Sequence, residues 1–224
     1  MDTKLLPPTD ENLAHAAQLL QGGQLVAFPT ETVYGLGANA LDAQAVLSIF
    51  TAKRRPADNP LIVHVDGPDT AQQVCQWSDA AQQMADAFWP GPLTMLLPRK
   101  ACVPQIVTAG LPTVGVRFPD HPVAIRLIAQ TGLPLAAPSA NLSGRPSPTL
   151  AAHVMEDFCG IIPMIIDGGE CAIGIESTVV DMSGEAPTVL RPGAVTPEQI
   201  AMVMGACNVA PAVRRALLPG ESAP

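Results

Sequence analysis

The sequence contains few aromatic and few charged side chains. Phe, Trp and Tyr make up 4% of its 224 residues and charged residues 14%, whereas 48% of the residues are hydrophobic. The apolar content excludes an intrinsically disordered chain, and the core must be built mainly from Leu, Ile, Val, Ala and Met. A chain of this length predicts one domain with a sizeable core.

Long apolar runs and paired cysteines are also lacking. No run approaches the roughly 18 apolar residues of a membrane-spanning helix, and the start, MDTKLLPPTDENL, lacks the basic and then apolar layout of a signal peptide. The cysteines stand singly, without the spacing of a zinc site. We therefore expect a cytoplasmic protein with reduced thiols, no membrane partner and no metal site formed by protein ligands.

Basic residues are scarce as well. Twelve Lys and Arg against twenty Asp and Glu give a net charge of −8, which argues against a broad nucleic-acid surface but leaves room for a local basic pocket. Neither the phosphate-binding pattern GxxxxGK[ST] nor the dinucleotide fingerprint GxGxxG occurs. A Ser-His-Asp triad and a catalytic carboxylate pair are not evident either, so hydrolytic chemistry is not favoured.

Helical and strand patterns alternate along the chain, which predicts an α/β fold. Helices are expected over Asp10–Leu20, from Asp42 to before Pro56 with Val46, Leu47, Ile49 and Phe50 inward, and after Ser78, Asp120 or His121, Thr149 and Thr196. Strands are expected at Leu25–Phe28 and Leu61–Val65 and in the segments LTMLL, TVGVRF, LPLAA, MIID, STVVD and TVLR.

Polar loops follow several of these strands. Four of them, TETVYGLG, AKRRPADNPL, APSANLSGRPSPT and IESTVVD, combine hydroxyls, amides and cations, and two lone arginines, Arg117 and Arg191, stand at strand ends. Strand-end loops of α/β sheets gather into ligand sites. This inventory of cations and hydroxyls favours the binding of phosphate or carboxylate groups.

Seven motifs in order resemble the YrdC-like family of L-threonylcarbamoyladenylate synthases, of the single-domain TsaC type. They are PTETVYGLGANA, KRRPADNPLIVHV, WPGPLTMLL, GVRFP, APSANLSGRPSPT, IESTVVD and VLRPGAV. The resemblance implies a twisted mixed sheet with flanking helices and a concave, positively charged cleft. It also implies a catalytic domain over residues 1–207, followed by a short tail over residues 208–224.

The resemblance further implies a nucleotidyltransferase. Such an enzyme converts L-threonine, bicarbonate or carbon dioxide, and ATP into threonylcarbamoyl-AMP and pyrophosphate, for the threonylcarbamoyladenosine modification of tRNA. Magnesium is expected to enter with ATP, since hard cations bind substrate phosphates. Other tRNA-modifying transferase proteins would take up the product, and weak RNA binding stays open.

Site residues follow from the same resemblance, position by position. It implies Lys53 and Arg55 as catalytic residues, Thr32, His64, Arg117 and Ser177 as threonine ligands, and Arg55, Asn59, Thr113, Ser139, Asn141, Ser147 and Arg191 as ATP ligands. One departure is Arg54, because the family often has glycine between the lysine and the arginine. From the residues alone, the KRR run also suits a solvated helix end, and His64 also suits a core position.

Two other functions stay open. One is a YrdC-like enzyme that forms a carbamoyl adenylate from carbamoyl phosphate, although such modules usually belong to larger chains. The other is a non-catalytic RNA-binding module, which the net charge of −8 disfavours. Threonine dependence of adenylate formation separates the first from the synthase, and a steep salt dependence of RNA affinity would identify the second.

Overall fold

A computed structural model describes residues 2–217 of the chain. Its helices are α1 (Asp10–Gln21), α2 (Ala43–Lys53), α3 (Pro68–Val74), α4 (Asp79–Phe88), α5 (Gln105–Thr108), α6 (Pro122–Thr131), α7 (Ala151–Phe158), α8 (Pro197–Met204) and α9 (Pro211–Leu217). Its strands are β1 (Lys4–Leu6), β2 (Val26–Phe28), β3 (Gly35–Asn39), β4 (Ile62–His64), β5 (Leu93–Pro98), β6 (Thr113–Arg117), β7 (Leu135–Ala136), β8 (Met164–Ile166), β9 (Thr178–Asp181), β10 (Thr188–Arg191) and β11 (Asn208–Val209).

Within this described part, eleven strands form one mixed sheet. The strand order is β1-β8-β2-β3-β7-β4-β6-β5-β9-β10-β11. The sheet combines parallel pairs, such as β4 with β6 and β5 with β9, with antiparallel pairs, such as β2 with β3 and β5 with β6. Strands that are distant in the chain therefore become neighbours, such as β3 beside β7 and β5 beside β9.

The sheet is buried on both faces. Along β2, Val26 and Phe28 belong to one hydrophobic cluster with α1 and α6, whereas Ala27 belongs to a larger cluster that includes residues of α2 and α4. Because side chains of a strand alternate between its two faces, this division means that helices cover each face of the sheet. None of the helices within residues 2–217 combines the length and apolar character needed to cross a membrane.

Side-chain caps fix several helix starts. Thr9, Asp42 and Ser78 each accept hydrogen bonds from backbone N–H groups of the first turn of α1, α2 and α4. Thr196 and Gln199 form a reciprocal capping box at the start of α8. The helix starts predicted at Asp42, after Ser78 and after Thr196 are therefore confirmed.

Two local predictions are wrong. Leu47 lies on the outer face of α2 with 43% of its surface exposed, because Val46, Ile49 and Phe50 already fill the inward stripe. The N-cap of α7 is Leu150 rather than Thr149, and its side chain makes no capping hydrogen bond. Instead, the backbone carbonyl of Thr149 accepts a hydrogen bond from Cys171 N at 3.0 Å.

The region after Cys207 also differs from the expected tail. Asn208 and Val209 form β11, which adds a parallel strand beside β10, and α9 follows over Pro211–Leu217. The backbone N–H of Ala210 donates to Val189 O at 2.9 Å. The first part of the expected tail is thus packed against the sheet, and residues 218–224 lie outside the described residues.

Candidate active site

One cavity, with a volume of about 230 Å³, collects residues from four of the polar loops. Eight of the twelve residues predicted for the site line it, namely Thr32, Arg55, Asn59, His64, Arg117, Ser139, Ser177 and Arg191. The four that do not are Lys53, Thr113, Asn141 and Ser147. Thr30 and Glu176, which were not assigned as site residues, line the cavity as well, and Tyr34, which the motif resemblance implies as a wall of the pocket, lines it too.

The sheet brings these loops together. His64 and Arg117 are register partners at the last positions of the parallel strands β4 and β6. An isolated bridge between Gly35 and Ser139 ties the PTETVYGLG segment to the APSAN segment. Residues far apart in the sequence therefore reach one cavity through backbone pairing.

A network of hydroxyl bonds shapes the loop between β2 and β3. Thr30 Oγ1 accepts from the N–H groups of Thr32 and Val33, each at 3.2 Å, and donates to Val33 O at 2.7 Å. It also lies 2.9 Å from Thr32 Oγ1. Because Thr30 uses its only hydrogen on Val33, Thr32 is the donor of that last bond. The lone pairs of Thr32 are then left for a ligand.

Arg117 and Glu31 form a buried ion pair. Arg117 Nη2 lies 2.6 Å from Glu31 Oε1, and the side chains are 5% and 9% exposed. Burial lowers the pKa of Arg117, and the Glu31 carboxylate opposes that shift. Arg117 Nη2 and both Glu31 carboxylate oxygens lack an aligned hydrogen-bond partner. These polar atoms can therefore still form hydrogen bonds to a ligand that enters the cavity.

His64 is neutral at physiological pH. Burial, followed by the nearby Arg117 charge, lowers the pKa of the imidazole to about 3. The ring stands edge-on to Phe28 with centroids 6.4 Å apart, and Nδ1 is buried without a hydrogen-bond partner. His64 can therefore offer a hydrogen bond to a ligand, but it cannot supply a positive charge.

Arg55 lies beyond the end of α2 and lines the cavity. Its Nη2 donates to Pro60 O at 3.3 Å and to Asn59 O at 3.4 Å. The Arg55 guanidinium group thereby anchors the ADNPL turn. Its Nε is buried without a partner. Arg54, at the C-cap of α2, has the left-handed conformation with φ 51°. Glycine adopts that conformation without a steric cost, which explains why glycine suits this position.

Lys53 connects two motifs instead of lining the cavity. Its side chain is buried, and Nζ donates to the backbone carbonyls of Ser139 and Asn141. Burial, followed by the Arg55 charge, lowers the pKa of Lys53 to about 8. The ammonium group thereby fixes the start of the APSANLSGRPSPT loop. Direct contact between Lys53 and a substrate stays a prediction.

Asn141 also shapes this loop from within. Its Nδ2 donates to Arg145 O at 2.7 Å and to Leu142 O at 3.0 Å, while its Oδ1 is buried without a partner. Asp157 on α7 accepts from Leu142 N at 2.8 Å and pairs with Arg145. The loop is thus held from two sides before any ligand arrives.

Glu176 links Ser147 to Arg191. Ser147 Oγ donates to Glu176 Oε1 at 3.1 Å, and Arg191 Nη1 lies 3.1 Å from Glu176 Oε2. Ser147 is therefore connected to the site by its hydrogen bond to Glu176. Sequence reasoning did not assign a function to Glu176, because the residues that it contacts are distant in the sequence.

Thr113 is not brought to the cavity. It is the first residue of β6, whereas Arg117 is the last, so the strand separates them by about 13 Å at 3.3 Å per residue. The nucleotide contact predicted for Thr113 stays a prediction. Among residues 2–217, no group of three or more His, Cys, Asp and Glu side chains is arranged to hold a metal ion.

Comparison with known proteins identifies the family. The family model Sua5/YciO/YrdC, described as "telomere recombination", matches residues 18–193. The chain belongs to this family. It is 54% identical over 199 residues to the threonylcarbamoyl-AMP synthase of Pyrococcus abyssi, covering 88% of this chain and 58% of that protein. It is 51% identical over 210 residues to the Bacillus subtilis threonylcarbamoyl-AMP synthase, covering 92% and 60%.

A solved structure confirms the predicted mixed α/β fold of this family. The crystal structure of P. abyssi Sua5 complexed with L-threonine matches with a TM-score of 0.91 at 49% identity, covering 100% of this chain and 66% of that one. The chain thus spans less than two thirds of the length of these family members.

Proposed function

We propose that the chain is a nucleotidyltransferase that forms threonylcarbamoyl-AMP and pyrophosphate from L-threonine, bicarbonate or carbon dioxide, and ATP. The related threonylcarbamoyl-AMP synthases and the related structure with L-threonine support the proposal. The observation that carries it is the convergence of Arg55, Arg117 and Arg191 on one cavity. Three cations in one cavity suit a reaction in which two anions must meet.

The reaction itself needs charge neutralisation more than a protein nucleophile. An amine that has taken up carbon dioxide is a carbamate, and its oxygen attacks the α-phosphate of ATP with pyrophosphate as the leaving group. Both reactants are anions, so their repulsion must be offset and the reacting groups held in line. Arginines and fixed hydrogen-bond donors can perform both tasks.

L-Threonine is assigned to the end of the cavity around Arg117. The forked guanidinium suits bidentate binding of the amino-acid carboxylate, and the buried Glu31 holds it in place. Thr32 and His64 line the same cavity and would supply uncharged hydrogen-bonding groups to threonine, and Ser177, which also contacts Arg191, would contribute from the boundary between the two ends. A neutral His64 allows this end to accept the threonine amine without charge repulsion.

The nucleotide is assigned to the other end. Arg55 and Arg191 would bind phosphate oxygens, with Asn59 and Ser139 as neighbouring ligands. Ser147 and Asn141 would be further nucleotide ligands, although neither lines the cavity, and Thr113 stays a weaker candidate. Lys53 would act on the nucleotide through the Ser139 loop, since its ammonium group bonds to the loop carbonyls.

A positive potential in the cleft and a magnesium ion complete the proposal. The arginines would make the cleft positive although the whole chain carries a net charge of −8. Mg²⁺ would enter with ATP and take most of its ligands from the phosphates and water. Its chemical contribution would be to offset charge on the phosphates during bond exchange.

The product implies further partners. Threonylcarbamoyl-AMP would be passed to tRNA-modifying transferase proteins in the cytoplasm, which attach the threonylcarbamoyl group to adenosine. RNA would bind this chain weakly at most, because only twelve Lys and Arg residues are present.

The test is pyrophosphate release from ATP with magnesium and bicarbonate, with and without L-threonine. Serine serves as the comparison amino acid, since it lacks the threonine methyl group. We expect release to depend on threonine and to be slower with serine. An Arg117→Ala variant with normal threonine dependence would contradict the assigned threonine end.

The same assay separates the two other functions. Release that ignores threonine but requires carbamoyl phosphate would indicate a carbamoyl-adenylate enzyme. If no release occurs with either substrate, and RNA affinity falls steeply with salt, the RNA-binding function is favoured.

A further inference from the structure

Glu176 is an acidic side chain at the part of the cavity that otherwise suits anions. Its two carboxylate oxygens have different partners, Ser147 Oγ at 3.1 Å and Arg191 Nη1 at 3.1 Å. The Glu176 and Arg191 side chains are 42% and 36% exposed. The pair is therefore open to solvent and to an incoming ligand, unlike the buried Arg117–Glu31 pair.

The orientation of Arg191 does not depend on Glu176 alone. Arg191 Nε donates to Ser177 O and Nη2 donates to Ser177 Oγ, both at 3.1 Å. Ser177 Oγ is held in turn by Thr94 Oγ1 at 2.8 Å. Two of the three guanidinium nitrogens are thus fixed by Ser177, which directly precedes β9 and is itself held by Thr94 of β5, and the third meets Glu176. Removing the carboxylate would leave the guanidinium oriented.

Glu176 also acts on the charge of the neighbouring arginines. Burial lowers the pKa of Arg55 and of Arg191, and Glu176 is the largest opposing influence on each. One carboxylate therefore offsets part of the positive charge of both cations that are assigned to phosphates.

Carboxylate and phosphate oxygens accept hydrogen bonds from the same donors. A phosphate that reaches Arg191 Nη1 and Ser147 must take these donors from Glu176. We propose that Glu176 is an internal anion that holds Ser147 and Arg191 until a phosphate group replaces it, and that its return weakens phosphate binding. This inference rests on the proposed function for the assignment of phosphates to this end.

The proposed exchange has a physical advantage for a reaction that produces pyrophosphate. A cluster of arginines alone would retain this highly charged product, because ion pairs strengthen in a partly buried cleft. A tethered carboxylate competes at a high local concentration without leaving the protein. Glu176 would therefore favour release of pyrophosphate over its retention.

The test compares binding of inorganic pyrophosphate, without metal, to the wild type, Glu176→Gln and Glu176→Ala by titration calorimetry. Both variants remove the competing charge, and alanine also removes the bonds to Ser147 and Arg191. We expect each to bind pyrophosphate about two- to fivefold more tightly than the wild type, which is the range that an exposed ion pair supports. Glu185→Gln is the matched control, because it removes one exposed carboxylate from the turn between β9 and β10.

Unchanged or weaker pyrophosphate binding in both Glu176 variants would overturn the proposal. Weaker binding would mean that Glu176 supports the phosphate site by aligning Arg191. Equal tightening in Glu185→Gln would also overturn it, since general charge would then explain the effect. The result is separate from the proposed function, whose failure would show as a lack of threonine-dependent pyrophosphate release in the wild type.

Discussion

Arg117 and Arg191 both line the cavity and each pairs with a glutamate, but the two pairs differ in burial. Arg117–Glu31 is nearly inaccessible and close, at 2.6 Å, whereas Arg191–Glu176 is roughly 40% exposed and longer, at 3.1 Å. A buried pair cannot exchange its partner without exposing an unpaired charge, but a solvent-exposed pair is weak and exchanges easily. The first suits a fixed amino-acid site, and the second suits a site that binds and releases phosphates.

The largest expected difference concerns stability. Glu31→Ala leaves the buried Arg117 without its partner, and we expect the free energy of unfolding to fall by about 3–5 kcal/mol. Glu176→Ala removes a partly exposed partner, and the expected loss is at most about 1 kcal/mol. Urea unfolding of both variants measures the difference. Equal losses would contradict the distinction between a fixed and an exchangeable pair.

Lys53 extends the comparison to a buried cation that is held by carbonyl oxygens instead of a carboxylate. We expect Lys53→Ala to lower turnover at least tenfold, about 1.4 kcal/mol of transition-state stabilisation, because the Ser139 loop loses its support. If Lys53 acts through this loop, the KM for ATP rises more than the KM for threonine.

Lys53→Arg is the control for Lys53→Ala, since it keeps the charge but does not fit the same bonds without rearrangement. Near-normal rates in both variants, with unchanged thermal unfolding, would show that the contact to the loop is dispensable.

The buried, neutral His64 should make the stability of the folded chain sensitive to acid. Its pKa is about 3 in the folded chain, so the unfolded chain binds a proton at about pH 6.5 that the folded chain does not. Stability should therefore fall as the pH is lowered from about 6.5, by up to about 1.4 kcal/mol per pH unit from this group. Unfolding curves of His64→Gln should lack that part of the slope. An unchanged slope would contradict a neutral, buried His64.

Ionic strength should affect ligand binding differently at the two ends of the cavity, and we expect this difference to be smaller than the preceding effects. Raising the ionic strength from about 0.1 M to about 1 M shortens the screening length from about 10 Å to about 3 Å. We expect pyrophosphate binding at the exposed pair to weaken clearly, while threonine binding at the buried pair changes little. Calorimetric titrations at both salt concentrations provide the measurement, and equal weakening of both ligands would count against the contrast.

Local sequence signals predicted much of the fold. Capping residues and apolar spacing were enough for α1, α2, α4 and α8, because these signals act within a few residues. Strand β3 was missed because GLGAN has two glycines and no β-branched residue. Strand β11 was missed because Asn208 and Val209 form only a two-residue strand, which depends on its pairing with β10.

The residues of the candidate site likewise fall into those that the sequence could predict and those that it could not. Positions such as Arg117 and Ser139 could be predicted because whole motifs carry the resemblance. Glu31 and Glu176 could not, since a carboxylate has meaning in an anion site only when its arginine partner is known, and those partners come from other strands. The position of Lys53 beneath the Ser139 loop likewise depends on a contact between residues 86 positions apart.

The most direct test of the account is a crossed binding measurement. L-Threonine and inorganic pyrophosphate are titrated separately into the wild type, Arg117→Lys and Arg191→Lys, because lysine keeps the charge but loses the forked geometry. We expect Arg117→Lys to weaken threonine binding with little effect on pyrophosphate, and Arg191→Lys to do the reverse. If either substitution weakens both ligands equally, or if the two effects are interchanged, the assignment of the two ends is wrong.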